Sequence, residues 1–205
     1  MIGPAGPDVA PPPAAPGMAV GLFGGSFDPP HAGHRHASLL AMRAAGLDRV
    51  WWLVSPGNPL KDTHGLPSVG ARVAAARAVA RHPRIAVTGI EAELGLRYTA
   101  DVVAALVAMR PRVHFVFVIG ADNWAQFHRW RRWRDIALTV PIVVVDRPGA
   151  TLAALAGPAA RAFRSARVLP EDARRIAFMR PPAWVLVTGP RNALSSTTLR
   201  AARPR

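Results

Sequence analysis

The chain has 205 residues and a formal net charge of +14, and it contains no cysteine. This length fits one domain of ordinary size, and the absence of cysteine excludes disulfides, a cysteine nucleophile and thiolate metal sites. The positive charge indicates anionic partners. The absence of cysteine also fits a reducing compartment, and no apolar run approaches the roughly 20 residues that span a bilayer, so we expect a cytoplasmic protein without a membrane partner.

Residues 1–17 are dominated by Gly, Pro and Ala. They lack hydrophobic periodicity, and they lack the basic start and apolar core of a signal peptide. This composition predicts a disordered extension. A single domain is then expected to occupy residues 18–205.

The stretch from Ala19 to Leu40 combines a strand, a tight turn and a helix. Residues 19–23 form a short apolar run that is typical of a buried strand. Gly24 and Gly25 permit backbone angles and close approaches that a Cβ would prevent. The first amides of the following helix lack intrahelical partners and carry partial positive charge, so phosphate is a natural ligand there.

Two histidines stand at the start of this helix. His31 and His34 are three positions apart, which predicts that both imidazoles lie on one side of the first turn. Each imidazole can donate a hydrogen bond to a phosphate oxygen, and each gains attraction if it is protonated. The motif therefore predicts a nucleotide-phosphate site that includes Gly24, Gly25, Ser26, Phe27, His31 and His34.

Apolar runs and helical patterns alternate along the rest of the chain. Further strands are predicted over residues 50–54, 85–88, 113–119, 140–145 and 183–188, and helices over 68–81, from Thr99 onward, and in the Ala-rich region 151–180. Gly46 is expected to end the first helix, and Ser68 and Thr99 are expected to cap theirs. The alternation predicts a doubly wound α/β domain with a mainly parallel sheet and a nucleotide site at its carboxyl edge.

Polar residues follow three of the predicted strands. Lys61 lies in a Pro-rich loop at the carboxyl end of the second strand, where ligands of α/β sheets bind. Glu91 and Glu93 are two positions apart in a predicted loop, so we interpret them as a solvated edge rather than as an acid/base pair. Asp122 follows the most strand-like run, where a carboxylate can accept hydrogen bonds from ribose hydroxyls.

Residues 123–135 interleave aromatic and basic side chains. One interpretation is a surface that stacks on single-stranded nucleic acid. The other is an amphipathic helix that packs its aromatic face, including Phe127 and Trp133, into the core. Because arginines are scattered through the whole chain, the charge is better explained by compositional bias, and nucleic acid is the less favoured partner.

A second motif, Leu-Ser-Ser-Thr-Thr-Leu-Arg, occupies residues 194–200. One of its hydroxyl residues is expected to cap a helix. Ser195, Ser196 and Thr197 also offer amides and hydroxyls to phosphate oxygens. Arg200 lies about one turn later, and its planar guanidinium suits phosphate.

The two motifs resemble the signatures of the nucleotidylyltransferase superfamily, H-x-G-H and I-S-S-T-x-x-R, with Leu194 in place of isoleucine. The first motif is similar to that of the bacterial nicotinate-nucleotide adenylyltransferases. The resemblance implies transfer of the adenylyl group of ATP to nicotinate mononucleotide, which gives deamido-NAD and pyrophosphate. It implies that His31, His34 and Arg200 hold the triphosphate as catalytic residues, and that Mg²⁺ arrives with ATP, held by phosphates and water.

The resemblance also implies an acceptor site. In the resembled family, residues at the positions of Lys61, Thr99, Asp122 and Trp130 contact the substrate phosphates, the pyridine carboxylate, the sugar and the pyridine ring. Arg131 stands where many relatives have tyrosine, and an amide of this segment is expected to meet the carboxylate. Nicotinamide mononucleotide, phosphopantetheine and a CTP-dependent substrate remain alternatives on the same fold, and a homo-oligomer remains open.

Overall fold

The computed structural model describes residues 11–57 and 65–190, together with Ser196 and Leu199. The strands are β1 (Ala19–Gly25), β2 (Arg49–Val54), β3 (Ile85–Thr88), β4 (His114–Gly120), β5 (Ile142–Val145) and β6 (Trp184–Val187). All six are parallel, and they form one sheet in the order β3-β2-β1-β4-β5-β6. The predicted doubly wound α/β fold is confirmed.

Helices and short helical turns connect the strands. The α-helices are α1 (Ala32–Ala45), α2 (Val69–Ala80), α3 (Ile90–Glu93), α4 (Thr99–Met109), α5 (Ala121–Ala125), α6 (Trp133–Thr139), α7 (Thr151–Ala156) and α8 (Pro158–Ala162). Three 3₁₀ turns span Phe127–Arg129, Arg164–Ala166 and Pro170–Phe178. Across the described ranges, every helix is too short or too polar to cross a membrane.

The sheet is buried on both faces, because successive side chains of a strand point to opposite sides. Trp51 packs on one face with Ile90 and with Phe115, at 5.4 Å between the Trp51 and Phe115 ring centroids. Its neighbour Trp52 packs on the other face with Phe27 and Ala41. Two apolar layers therefore enclose the sheet, which explains why the strands are continuous apolar runs rather than alternating ones.

The chain order of the strands positions a crevice at the carboxyl edge of the sheet. After β1 the chain adds β2 and β3 on one side, and it then returns to place β4, β5 and β6 on the other side. Connections that leave β1 and β4 consequently run in opposite directions. In open α/β sheets, ligands bind in the crevice at such a reversal of strand order.

Two of the three predicted helix signals are confirmed. Gly46 ends α1 in the left-handed conformation, with φ of 62°, and the Ser68 hydroxyl accepts a hydrogen bond from the Ala71 amide at 3.2 Å. The prediction that Thr99 caps α4 is wrong. Tyr98 occupies the cap position with extended backbone, Thr99 is the first helical residue, and no side chain caps this helix.

The N-terminal segment from Pro11 to Gly17 contacts the domain, although the sequence predicts that the domain begins at residue 18. Pro11 is buried and Ala14 packs against the core. The Gly17 amide donates a hydrogen bond to the Arg112 carbonyl at 2.7 Å. Residues 1–10 lie outside the described residues.

Candidate nucleotide-binding cleft

The histidine pair is held by reciprocal hydrogen bonds at the junction of β1 and α1. His31 is the cap residue of α1, and its Nδ1 accepts a hydrogen bond from the Gly33 amide at 3.1 Å. The Nδ1 of His34 accepts from the His31 amide at 3.2 Å. Because a backbone N–H can only donate, each neutral imidazole carries its proton on Nε2. The ring centroids are 3.8 Å apart, so the predicted side-by-side arrangement is confirmed.

Both imidazoles are neutral at pH 7 in this structure. Burial and, to a smaller extent, the nearby Arg147 guanidinium lower the pKa of His31 to about 4. Burial, followed by the smaller effects of His31 and Arg147, lowers the pKa of His34 to about 3. The sequence-based interpretation allowed for protonated histidines, whereas the geometry provides neutral Nε2–H donors with an arginine beside them.

The loop before α1 is fixed by an aromatic cluster. Phe27 has φ of 47°, which is strained for a residue with a side chain and costs on the order of 1–3 kcal/mol. Its fully buried ring stacks on Trp52 at 4.9 Å between centroids and contacts the His34 ring at 4.8 Å. The Trp52 indole N–H donates to the Ser38 hydroxyl at 2.7 Å. This packing offsets the strain and orients His34.

One cleft with a volume of ≈ 350 Å³ lies above these residues. That volume is within the usual range of small-molecule sites. Among the predicted site residues, those that line the cleft are Gly24, Gly25, Ser26, Phe27, His31, His34, Thr99, Asp122, Trp130, Arg131 and Ser196. The others, Lys61, Ser195, Thr197 and Arg200, lie outside the described residues. The sequence therefore identified residues from five separate segments that the fold brings to one cavity.

Ser196 connects the second motif to the first. Its hydroxyl donates a hydrogen bond to the Pro29 carbonyl at 3.0 Å, across 167 positions of sequence. Pro29 lies two residues before His31, and Ser196 itself lines the cleft. The two motifs therefore meet at Ser196.

A second wall of the cleft is formed by α4 and by the segment after β4. Thr99 begins α4, so the uncapped first amides of that helix lie at the cleft. Arg131 lies over the Tyr98 ring, with 4.6 Å from its Cζ to the ring centroid, and donates to the Tyr98 hydroxyl at 3.2 Å. Trp130 packs its edge against Phe117 at 6.2 Å. This wall combines an aromatic surface with groups that favour an anion.

Asp122 lies on the cleft with an exposed side chain, 3.9 Å from the Arg147 guanidinium. Arg147 follows β5 and is not among the residues that the sequence motifs predict for the site. Its position at the carboxyl end of a strand is the signal that would have found it. Arg147 influences both histidines and Asp122, and it is therefore a central cation of this cleft.

The arginines of residues 129–134 are largely engaged within the protein. Arg132 forms ion pairs with Asp101 at 2.6 Å and Asp135 at 2.7 Å, and Arg134 lies over the Trp133 ring at 4.4 Å. The chain here is broken into α5, a 3₁₀ turn and α6, so the predicted single amphipathic helix is wrong. Phe127 and Trp133 are buried in the core, as that interpretation expected.

Glu91 is the residue that the sequence interpretation misplaced. It is 5% exposed and lines the cleft, whereas Glu93 is exposed as expected. Burial raises the pKa of the Glu91 carboxyl to about 8, although the Arg72 guanidinium opposes this shift. Glu91 follows β3 by only three positions, so the carboxyl-end rule that selected Asp122 would also have selected it.

Comparisons with known proteins agree with this architecture. The profile of the family described as cytidylyltransferase-like matches residues 22–202. A probable nicotinate-nucleotide adenylyltransferase of Rhizobium meliloti (strain 1021) is 55% identical over 186 residues, which cover 91% of this chain and 99% of that relative. Another, from Cereibacter sphaeroides (strain ATCC 17025 / ATH 2.4.3), is 57% identical over 184 residues, covering 90% of this chain and 97% of that relative.

A solved structure has the same fold at low sequence identity. Plasmodium falciparum nicotinic acid mononucleotide adenylyltransferase complexed with APC aligns with a TM-score of 0.64 and 15% identity, over 90% of this chain and 83% of that one. The fold and the profile match define the class, a cytidylyltransferase-like α/β protein. Given the identity over nearly the full length of its relatives, the chain belongs to the nicotinate-nucleotide adenylyltransferase family.

The buried Glu91 carboxyl generates a prediction about stability. Its folded pKa of about 8 lies above the ordinary value of 4.5, so its contribution to stability is fully present below pH 4.5 and is lost as pH rises through 8. Glu91→Gln removes this loss. We expect the unfolding free energy of the variant to rise relative to that of the unsubstituted protein by up to about 1.4 kcal/mol per pH unit between pH 5 and 8.

Urea unfolding at several pH values measures this difference. The histidine contributions are the same in both proteins and cancel. Glu93→Gln, on the same short helix but exposed, is the matched control and should show no such trend. A Glu91→Gln difference that does not change with pH would show that Glu91 is ionised in the folded protein.

Proposed function

We propose that the protein transfers the adenylyl group of ATP to nicotinate mononucleotide, giving deamido-NAD and pyrophosphate, as a cytoplasmic step of NAD biosynthesis. One observation carries the proposal: a single cleft contains both the Nε2–H donors of His31 and His34 and the aromatic, anion-favouring wall of Trp130 and Thr99. The names of the relatives support the same reaction. They also support small-molecule nucleotides as the partners.

The chemistry requires positioning and charge neutralisation rather than a protein nucleophile. An oxygen of the mononucleotide 5′-phosphate attacks the α-phosphorus of ATP in line, and the bond between the α-phosphorus and the bridging oxygen breaks to release pyrophosphate. The attacking phosphate is already anionic near neutral pH, so no base has to remove a proton from it. Transfer of this kind depends mainly on alignment and on stabilising the charge that builds up on the phosphate oxygens.

In this proposal the triphosphate lies over the start of α1. His31 and His34 donate from Nε2 to phosphate oxygens, because both Nδ1 atoms are already occupied by backbone amides. Arg147 supplies positive charge beside them. Gly24, Gly25, Ser26, Phe27, Ser195, Ser196, Thr197 and Arg200 complete the proposed ATP site. A neutral donor next to a fixed guanidinium binds anions without the cost of burying two more charges.

The acceptor is proposed to occupy the second wall, formed by α4 and by the segment after β4. Trp130 offers its ring to the pyridine ring, and Asp122 accepts hydrogen bonds from the ribose hydroxyls. The first amides of α4, at Thr99, face the pyridine carboxylate, and Arg131 adds a cation to the same wall. Lys61 is proposed to approach the substrate phosphates.

Magnesium is proposed to accompany ATP. Within the described ranges, three or more His, Asp or Glu side chains do not cluster in a way that would hold a metal. The phosphates and water would therefore supply most ligands, as is usual for Mg²⁺ at nucleotide sites. Bound in this way, the ion would neutralise charge on the phosphates.

A product assay tests the proposed reaction. The protein is incubated with ATP, Mg²⁺ and one acceptor, which is nicotinate mononucleotide, nicotinamide mononucleotide or phosphopantetheine, and the adenylylated product and pyrophosphate are detected by mass. We expect both products, with kcat/KM for the acid form roughly tenfold or more above that for the amide, because helix amides and a nearby cation favour a carboxylate. Absence of any dinucleotide, or faster transfer to phosphopantetheine, would contradict the proposal.

The same assay tests the histidines. We expect His31→Ala and His34→Ala each to lower kcat by about 10²–10³-fold, the usual effect of removing one donor to a developing oxyanion. Circular dichroism should show that both variants remain folded. His114→Ala is the matched control, because His114 begins β4 at the opposite edge of the sheet. Near-normal turnover in either cleft variant would remove that histidine from the mechanism.

A further inference from the structure

Arg72 is a buried arginine that the proposed reaction does not use. It lies in α2 and is 2% exposed, and it does not itself line the cleft. Its guanidinium donates four hydrogen bonds to backbone carbonyls: Nε to Pro67 at 2.8 Å, Nη1 to Ser26 and to Ser55 at 2.7 Å each, and Nη2 to Pro56 at 3.2 Å. One side chain therefore joins three loop segments: the loop between β1 and α1, and the two described ends of the connection between β2 and α2.

Two of these loops form walls of the cleft. Ser26 belongs to the loop between β1 and α1 that precedes the histidines, and Ser55 follows β2. Both residues line the cavity. The loops are also joined directly, because the Ser55 amide donates to the Gly25 carbonyl at 3.0 Å. The Arg72 guanidinium thus binds a carbonyl of each wall without itself lining the cavity.

The chemistry of this contact requires arginine. Four of the five N–H groups of a guanidinium are used here in its planar fork, whereas a lysine ammonium offers three donors from a single point. These hydrogen bonds are partly buried, and an acceptor that is removed from water and loses its donor is costly to leave unpaired. Burial lowers the pKa of the Arg72 guanidinium, and the carboxyl groups of Asp28, in the first loop, and Glu91, in the cleft wall, oppose this shift.

We propose that Arg72 is a positioning residue of the triphosphate site, which holds the Ser26 loop against the Ser55 loop so that the cleft has its binding geometry before a nucleotide arrives. This inference rests on the proposed function for its assay. Preorganised walls lower the ordering cost of binding. In a reaction governed by alignment, a displacement of about 1 Å remote from the chemistry can cost roughly 10²-fold in rate.

Arg72→Lys and Arg72→Met test the proposal, with Arg77→Met as the control. Arg77 lies on the same helix, is exposed, and donates a single hydrogen bond to the Val87 carbonyl at 3.3 Å. At a temperature where circular dichroism shows every variant folded, we expect both Arg72 variants to lose roughly tenfold or more in kcat/KM. The Arg77 variant should stay within about twofold of the unsubstituted protein, as expected for a surface change.

A second measurement needs no acceptor substrate. ATP should raise the melting temperature of the unsubstituted protein and of Arg77→Met, and this rise should be largely lost in Arg72→Lys. If Arg72→Met does not fold, the measurements on Arg72→Lys alone test the proposal. A further outcome is that the unsubstituted protein makes no dinucleotide while ATP still raises its melting temperature and not that of Arg72→Lys. That result would support the role of Arg72 and overturn the proposed acceptor. A lowered melting temperature with an unchanged ATP effect and unchanged kcat/KM would make Arg72 purely structural and overturn the inference.

Discussion

The cleft depends on two reciprocal hydrogen bonds at the start of α1. Backbone amides of Gly33 and His31 occupy the Nδ1 atoms of His31 and His34, so the helix is capped and both imidazoles are oriented by the same contacts. A residue that caps a helix ordinarily satisfies an orphan amide and does nothing more. Here the capping side chain has a second nitrogen, and it is this Nε2 that is left for a ligand. The same two hydrogen bonds therefore cap the helix and orient both imidazoles.

Around this pair, the hydrogen-bond donors and the positive charge come from different side chains. Burial keeps both imidazoles neutral, and positive charge is supplied by Arg147, which lies near enough to lower the pKa of both. The strained Phe27 and its stack on Trp52 hold the loop that carries the histidines. Behind that loop, Arg72 contacts the carbonyls of two cleft walls. The site is thus built from fixed dipoles and buried packing, which suits a reaction that needs alignment more than acid or base chemistry.

The sequence predicted the parts of the molecule that depend on local chemistry. Apolar runs located all six strands, Gly46 and Ser68 marked helix ends, and the spacing of His31 and His34 predicted their side-by-side rings. It could not predict features that depend on packing between distant elements. Glu91 is buried because α3 packs against β2, and the small-residue pattern of α2 does not reveal that Arg72 faces inward. The aromatic spacing of residues 124–133 suggested one helix, but the backbone turns there to bring both Trp130 and Arg131 to the cleft.

Imidazole ¹⁵N NMR of the histidine-labelled protein tests the central claim most directly. Signals of His31 and His34 are assigned by comparison with the single alanine variants. At pH 7 without nucleotide, both rings should be neutral, with the proton on Nε2 and a nonprotonated Nδ1, and ATP should perturb Nε2 in each ring. Charged imidazolium rings, or a proton on Nδ1 of either histidine, would contradict the reciprocal bonding on which the cleft depends.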